Sequence, residues 1–344
     1  MSISTTGSAS IAPPRLAMRV LPMTLALGLL AVFFATLSFF IGPSDIRAGD
    51  LLAGLFSGDG AAGIIAREIR LPRAILALFV GGALGVSGAA LQGLFRNPLA
   101  EPGVTGVTSS AGFGAIIAQY FGLAALFPIL LPTFAIVGAL ATALILFAMS
   151  RRGVGVMALV LAGVAIASLA TSLTALALSL APNPYAMSEM VLWMMGSLKD
   201  RTLTDLVFAV PLVSIGTALL LTTGRGLDAL TLGEETAHTL GVDVNSVRGR
   251  VVIGVALATG AATAAAGAVS FVGLVVPHLL RRFYGYEPSR LLLPSAIGGG
   301  ALVAAADIAV RVIAPDGQLL LGVLTAMLGA PFFIWLILSM RRDA

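Results

Sequence analysis

The sequence contains no cysteine, one lysine and two histidines, and only 10% of its 344 residues are charged. The absence of cysteine excludes disulfides, thiolate metal sites and cysteine nucleophiles. The single lysine, Lys199, is followed by Asp200, so the Gly-x-x-x-x-Gly-Lys-Ser/Thr loop that wraps and neutralises phosphates is missing. The chain therefore does not hydrolyse ATP through such a loop. His238 and His278 do not form a His-Glu-x-x-His pair, and they read as helix-end or packing residues rather than metal ligands. No paired catalytic carboxylates stand out, so an enzyme is not expected. The scarcity of charge is the widest exclusion. A soluble domain carries about 25% charged residues, and this chain has too few to coat a soluble particle, to remain disordered or to form a nucleic-acid-binding surface.

What is present is apolar. Hydrophobic residues make up 58% of the chain, and the mean hydropathy is +1.03. A membrane-spanning helix needs about 20 apolar residues. Charge-free runs of sufficient length cover 20–44, 74–95, 102–150, 153–188, 206–224, 251–280 and 317–340, and a run at 291–310 is broken only by Asp307. The run at 102–150 can hold two spans turning near 122–132. The run at 251–280 is too short for two full crossings, yet Arg248 and Arg250 precede it and Arg281, Arg282 and Arg290 follow it. If both basic groups are cytoplasmic, one full helix and a short half-helix must lie between them, with a bend at 267–273. Irregular backbone at membrane depth is tolerated where protein surrounds it.

The prediction is an all-α polytopic membrane protein with about ten transmembrane helices, the eighth a half-helix. Residues 1–19 are expected to form a flexible cytoplasmic tail and 20–344 a single transmembrane domain. Its main cytoplasmic loop is 225–250, and both termini are cytoplasmic. This topology places 13 basic residues inside and 7 outside, together all 20 of the Lys and Arg, which is the bias expected of a membrane protein.

Four motifs carry further information. Arg67, Arg70 and Arg73 recur every three residues around Pro72, as interfacial anchors or as a docking patch for acidic groups. Gln92 to Pro102 (QGLFRNPLAEP) is a tight turn bounded by two prolines. In the inner loop, Thr231 followed by Glu234 fits a capping box, and Gly241 is placed to cap the end of the same short helix. This helix either lies against the membrane face or fits a groove in another subunit. In the last third, Phe271 to His278 (FVGLVVPH) precedes Asp307 and Arg311, which are spaced to pair on one helix face. Gly329-Ala330-Pro331-Phe332-Phe333 follows.

Taken in order, these groups and Trp193 to Leu198 (WMMGSL) resemble the transmembrane permease of type II ABC importers, the FecCD-type family of iron-siderophore, heme and cobalamin uptake, over nearly the whole chain. The resemblance implies a permease that pairs with a second permease subunit, homodimeric or closely related. Two ATP-binding subunits, which hold the ATP and Mg, would bind from the cytoplasm, and an extracytoplasmic substrate-binding protein would dock outside. It implies that Arg70, Arg73 and Arg311 meet glutamates of that binding protein and that Asn97 and Leu99 form a cytoplasmic gate. Leu232, Gly233, Glu234, Ala237, Leu240 and Gly241 would belong to the helix seated on the ATPase. An iron-siderophore complex is the expected cargo, with heme and cobalamin as alternatives and an ion-coupled carrier as a different class. Gln318 and Leu320 depart from the family's usual Glu-x-Pro before the last span, which puts the docking role of that outer loop in question.

Overall fold

The computed structural model describes residues 17–44, 46–315 and 318–340. Most of the expected tail thus lies outside the described residues. All regular elements among them are helical: α1 (Ala17–Phe40), α2 (Ala48–Ser57), α3 (Gly60–Ile64), α4 (Leu71–Phe95), α5 (Val107–Tyr120), α6 (Leu123–Leu126), α7 (Leu130–Arg151) and α8 (Val156–Ser179). The second half adds α9 (Pro184–Met194), α10 (Leu203–Leu221), α11 (Gly224–Thr231), α12 (Glu234–Thr239), α13 (Val244–Ala266), α14 (Val272–Tyr284), α15 (Pro288–Ile313) and α16 (Leu321–Met340). Among the described residues, seven helices are long and apolar enough to cross a membrane.

Two of these, the continuous helix ending in α4 and α13, are enclosed by the others, whereas α1 lies on the periphery. Lipid is as apolar as a leucine side chain, so burying hydrophobic groups does not drive helices together in a bilayer. Close packing of small residues does. The contact between α4 and α15 follows that rule. A Cβ on Gly81 would strike the Gly299 carbonyl, one on Gly299 would strike the Gly81 carbonyl, and one on Gly85 would strike Ser295. The same device joins α5 to α7, where Gly114 faces the Phe134 carbonyl and Gly138 faces that of Ser110.

The α4 span begins earlier than its charge-free run suggests. A π-turn at Ile65–Arg70 joins α3 to α4 without a break, so Arg67, Arg70 and Arg73 sit on one continuous helix. The π-turn precedes Pro72, which cannot donate to a carbonyl upstream. The return after α13 agrees with expectation. The chain bends at 267–271 and comes back as the 13-residue α14. The first part of the bend packs against the chain, while Ser270 is exposed: Ser197 N–H donates to the Ala266 carbonyl at 2.7 Å, and Gly322 packs on the Ala268 and Met195 carbonyls.

Candidate functional site

The bundle has two polar ends. At the end where α1 finishes and α4 begins, Arg70, Arg73 and Arg311 converge. Asp307 on α15 has no exposed surface. It accepts from Arg73 at 2.8 Å and pairs with Arg311 at 2.9 Å, so the expected Asp307–Arg311 pair forms and gains a second cation from α4. The remaining donors go to the last turn of α1. Arg70 donates to the Phe40 carbonyl at 2.7 Å and to the Phe39 carbonyl and Ser44 Oγ. Arg311 donates to the Ser38 carbonyl at 2.9 Å and to that of Ile41. A helix leaves its last carbonyls unpaired and carries partial negative charge there, so two guanidinium groups form a C-terminal cap supplied from α4 and α15. Arg67 does the same for α2, donating to the Leu55 and Phe56 carbonyls, both at 2.8 Å. The three-residue spacing is thus used internally, and Arg70 is only 5% exposed.

Near the same end, a cavity of about 970 Å³ opens between the α5–α7 connection, α9 and the start of α10, lined in part by Glu189, Arg201 and Asp205.

At the opposite end, α4 stops at Arg96, a non-glycine residue at φ 49°. Asn97 N–H returns to the Gln92 carbonyl and Arg96 N–H to that of Gly93, the paired bonds of a Schellman stop. Asn97 Oδ1 then accepts from Leu99 N–H at 2.9 Å, which fixes the turn at 97–99. A cavity of about 180 Å³ adjoins it, walled by Gln92, Arg96, Asn97, Arg281 and Tyr286.

On the same side α11 and α12 project. The expected capping box is not formed. Thr231 Oγ1 turns back to the Asp228 carbonyl, and Gly233, at φ 102°, starts α12 without a side-chain cap. A threonine hydroxyl readily takes a local carbonyl in place of a cap, while Glu234 is drawn into an ion pair with Arg248. Gly241, at φ 79°, ends the helix as expected, with Val242 N–H on the Ala237 carbonyl. Leu232 and Leu240 are 64% and 62% exposed, whereas Ala237 is fully buried against the chain's own core. The exposed face therefore carries Leu232 and Leu240, and Ala237 supports it from below.

Residues 29–339 match the model of the FecCD transport family. The chain belongs to that family. It is similar to the hemin transport system permease protein HmuU of Yersinia pestis, 41% identical over 284 residues that cover 80% of this chain and 84% of that one. It is similar also to the Fe(3+) dicitrate transport system permease protein FecD of Escherichia coli, at 42% over 275 residues covering 80% and 85%. A vitamin B12 import system permease protein, BtuC of Salmonella paratyphi A, is 36% identical over 319 residues, covering 92% and 95%. Among solved structures, an inward-facing metal-chelate type ABC transporter superposes with a TM-score of 0.82 at 29% identity, over 92% of this chain and 99% of that one.

Two features of this FecCD chain escape sequence reading. Arg73 and Asp307 lie 234 positions apart, and only the fold joins them. Gln92 reads as part of an ordinary turn but is 3% exposed and bonded to α14. Glu101, between α4 and α5, is half-buried. Burial pushes its carboxyl above the usual range, and the Phe271 N–H acts in the opposite direction.

Proposed function

We propose that this chain is the membrane permease subunit of an ATP-driven importer whose cargo is an iron chelate, specifically a ferric siderophore. The family match over 29–339 carries the permease reading. The chelate reading is supported by relatives named for hemin and Fe(3+) dicitrate, in both of which an organic ligand holds iron. Heme and cobalamin are the competing cargoes, the latter through the BtuC relative. An ion-coupled carrier is disfavoured by the family match over 29–339, and Asp307, the acid within α15, is held by two arginines.

In the proposed assembly two permease subunits stand side by side in a bacterial inner membrane. Two ATP-binding subunits, which hold ATP and Mg, meet the α12 side, and a substrate-binding protein meets the other. Counting α5, α14 and α16 with the seven long helices gives ten spans. Both termini and α12 are then cytoplasmic. Leu232 and Leu240 enter the ATPase groove. Gly233, Glu234, Ala237 and Gly241 shape the helix that presents them, and Asn97 and Leu99 close the inner gate. Arg70, Arg73 and Arg311 dock the binding protein by exchanging internal acceptors for its carboxylates. Three cations against one acid support that exchange, since a guanidinium fork suits a carboxylate.

The test is uptake by proteoliposomes holding the full complex, supplied in turn with ferric siderophore, hemin and cyanocobalamin. Transport of the siderophore alone is expected. Hemin- or cobalamin-only uptake replaces the cargo, and uptake without any ATP-binding subunit overturns the importer reading.

A further inference from the structure

The short helix α14 carries a defect that another helix repairs. Pro277 stands four residues after Gly273 in α14. Proline has no N–H, so the Gly273 carbonyl loses its intrahelical partner. That carbonyl is inside the protein, where a missing hydrogen bond is costly. Gln92 of α4 fills the place: its Nε2 donates to the Gly273 carbonyl at 3.3 Å and reaches that of Leu274 at 3.5 Å. Arg281, one turn beyond Pro277 on the same helix, donates to Gln92 Oε1 at 2.6 Å and so fixes which end of the amide points at Gly273. Gln92 lies five residues before Asn97, and its own carbonyl accepts from Asn97 N–H. The residue that repairs α14 thus also anchors the gate turn. A second contact runs alongside, where Pro102 packs on the bare backbone of Gly273.

The other side of α14 faces the last helix. Phe271, held at φ 66°, seats its side chain on Gly329 of α16, where a Cβ would collide with it. The His278 and Phe332 rings meet edge to face at 6.0 Å. A bulky residue at positive φ is rare and persists only where the surroundings enforce it.

We propose that α14 is a lever between α16 and the inner gate, and that Gln92, oriented by Arg281, is the positioning residue that ties the gate turn to it. The proposal rests on the importer reading for the word gate; the repair of the Gly273 carbonyl stands without it. A merely structural Gln92 would affect stability without affecting how the gate responds to nucleotide.

The test has two arms, both on the full complex. The first is a stability cycle. Gln92→Met conserves volume and removes the donor to Gly273 together with the acceptor that Arg281 uses. Pro277→Ala restores the missing N–H, so the loss in unfolding temperature caused by Gln92→Met should shrink by at least half in the Pro277→Ala background. Additive effects of the two changes overturn the repair, and with it the proposal. The second arm uses the natural absence of cysteine. Arg96→Cys reports on the gate through its labelling rate with a membrane-impermeant maleimide on the cytoplasmic side, in ADP and in ATP with vanadate. The parent should show at least a fivefold rate difference between the two states. Gln92→Met should reduce it to under twofold, and Pro277→Ala should restore most of it. Arg281→Met, should Gln92→Met fail to assemble, is expected to reduce the difference in the same way. A full difference in these variants overturns the lever. No difference in the parent itself overturns the gate reading on which the lever depends, while the stability cycle still decides the repair.

Discussion

Asp307 shows how far one residue can organise an end of this molecule. It is a buried acid among three arginines: it pairs with Arg73 and Arg311, and Arg311 together with Arg70 holds the last turn of α1. Removing one partner of a buried ion pair costs about 3–5 kcal/mol, because the remaining charge is left uncompensated. Asp307→Asn should therefore lower the unfolding temperature of the detergent-purified complex, and α1 should become susceptible to limited proteolysis near 41–46. An unchanged unfolding temperature would show that solvent already screens the cluster. The same geometry alters how docking must be tested. Arg73→Glu would set a carboxylate against Asp307 and damage the fold, so a loss of binding would not identify a contact. Reversing acidic residues on the binding protein, with affinity measured at two salt concentrations, avoids that ambiguity. A docking interface loses affinity on reversal, most strongly at low salt; unchanged affinity removes the docking assignment.

At the scale of elements, the short helix α12 separates two kinds of substitution. Leu232→Glu combined with Leu240→Glu changes only the exposed face. Membrane insertion should be normal while association with the ATP-binding subunit falls at least tenfold, as read by co-purification. Ala237→Trp acts differently, because Ala237 is buried in this chain and overpacking costs about 1–3 kcal/mol. It should reduce the yield of folded permease itself. Equal co-purification of the double glutamate variant and the parent would remove the coupling role of this face. The contrast also marks what the sequence could convey. The helix, its terminal glycine and the return through α14 were legible, because they depend on local chemistry and on runs of apolar residues. The direction in which Ala237 points was not legible, nor was the failure of Thr231 to cap, because both depend on Arg248 and α13 lying alongside. The Gln92 repair was hidden for the same reason, although the proline that calls for it is in plain view.

For the whole molecule, topology is the first thing to settle, and a chain without cysteine suits the purpose. Single cysteines at Asp59 and Lys199 should react with an impermeant reagent from outside intact spheroplasts, and one at Arg152 only after inversion. Outside reaction at Arg152 would reverse the placement of α12 and every role drawn from it. The glycine seam between α4 and α15 then bears on how such a molecule can move at all. Where Gly81, Gly85 and Gly299 let carbonyls and α-carbons touch, the two helices mesh like cogs. A slide by one helical turn, 5.4 Å, would carry side-chain-bearing neighbours into places that admit only hydrogen. The pair is consequently locked against shear and must travel as one strut. The strut is thus the fixed frame against which any displacement elsewhere in the bundle is measured.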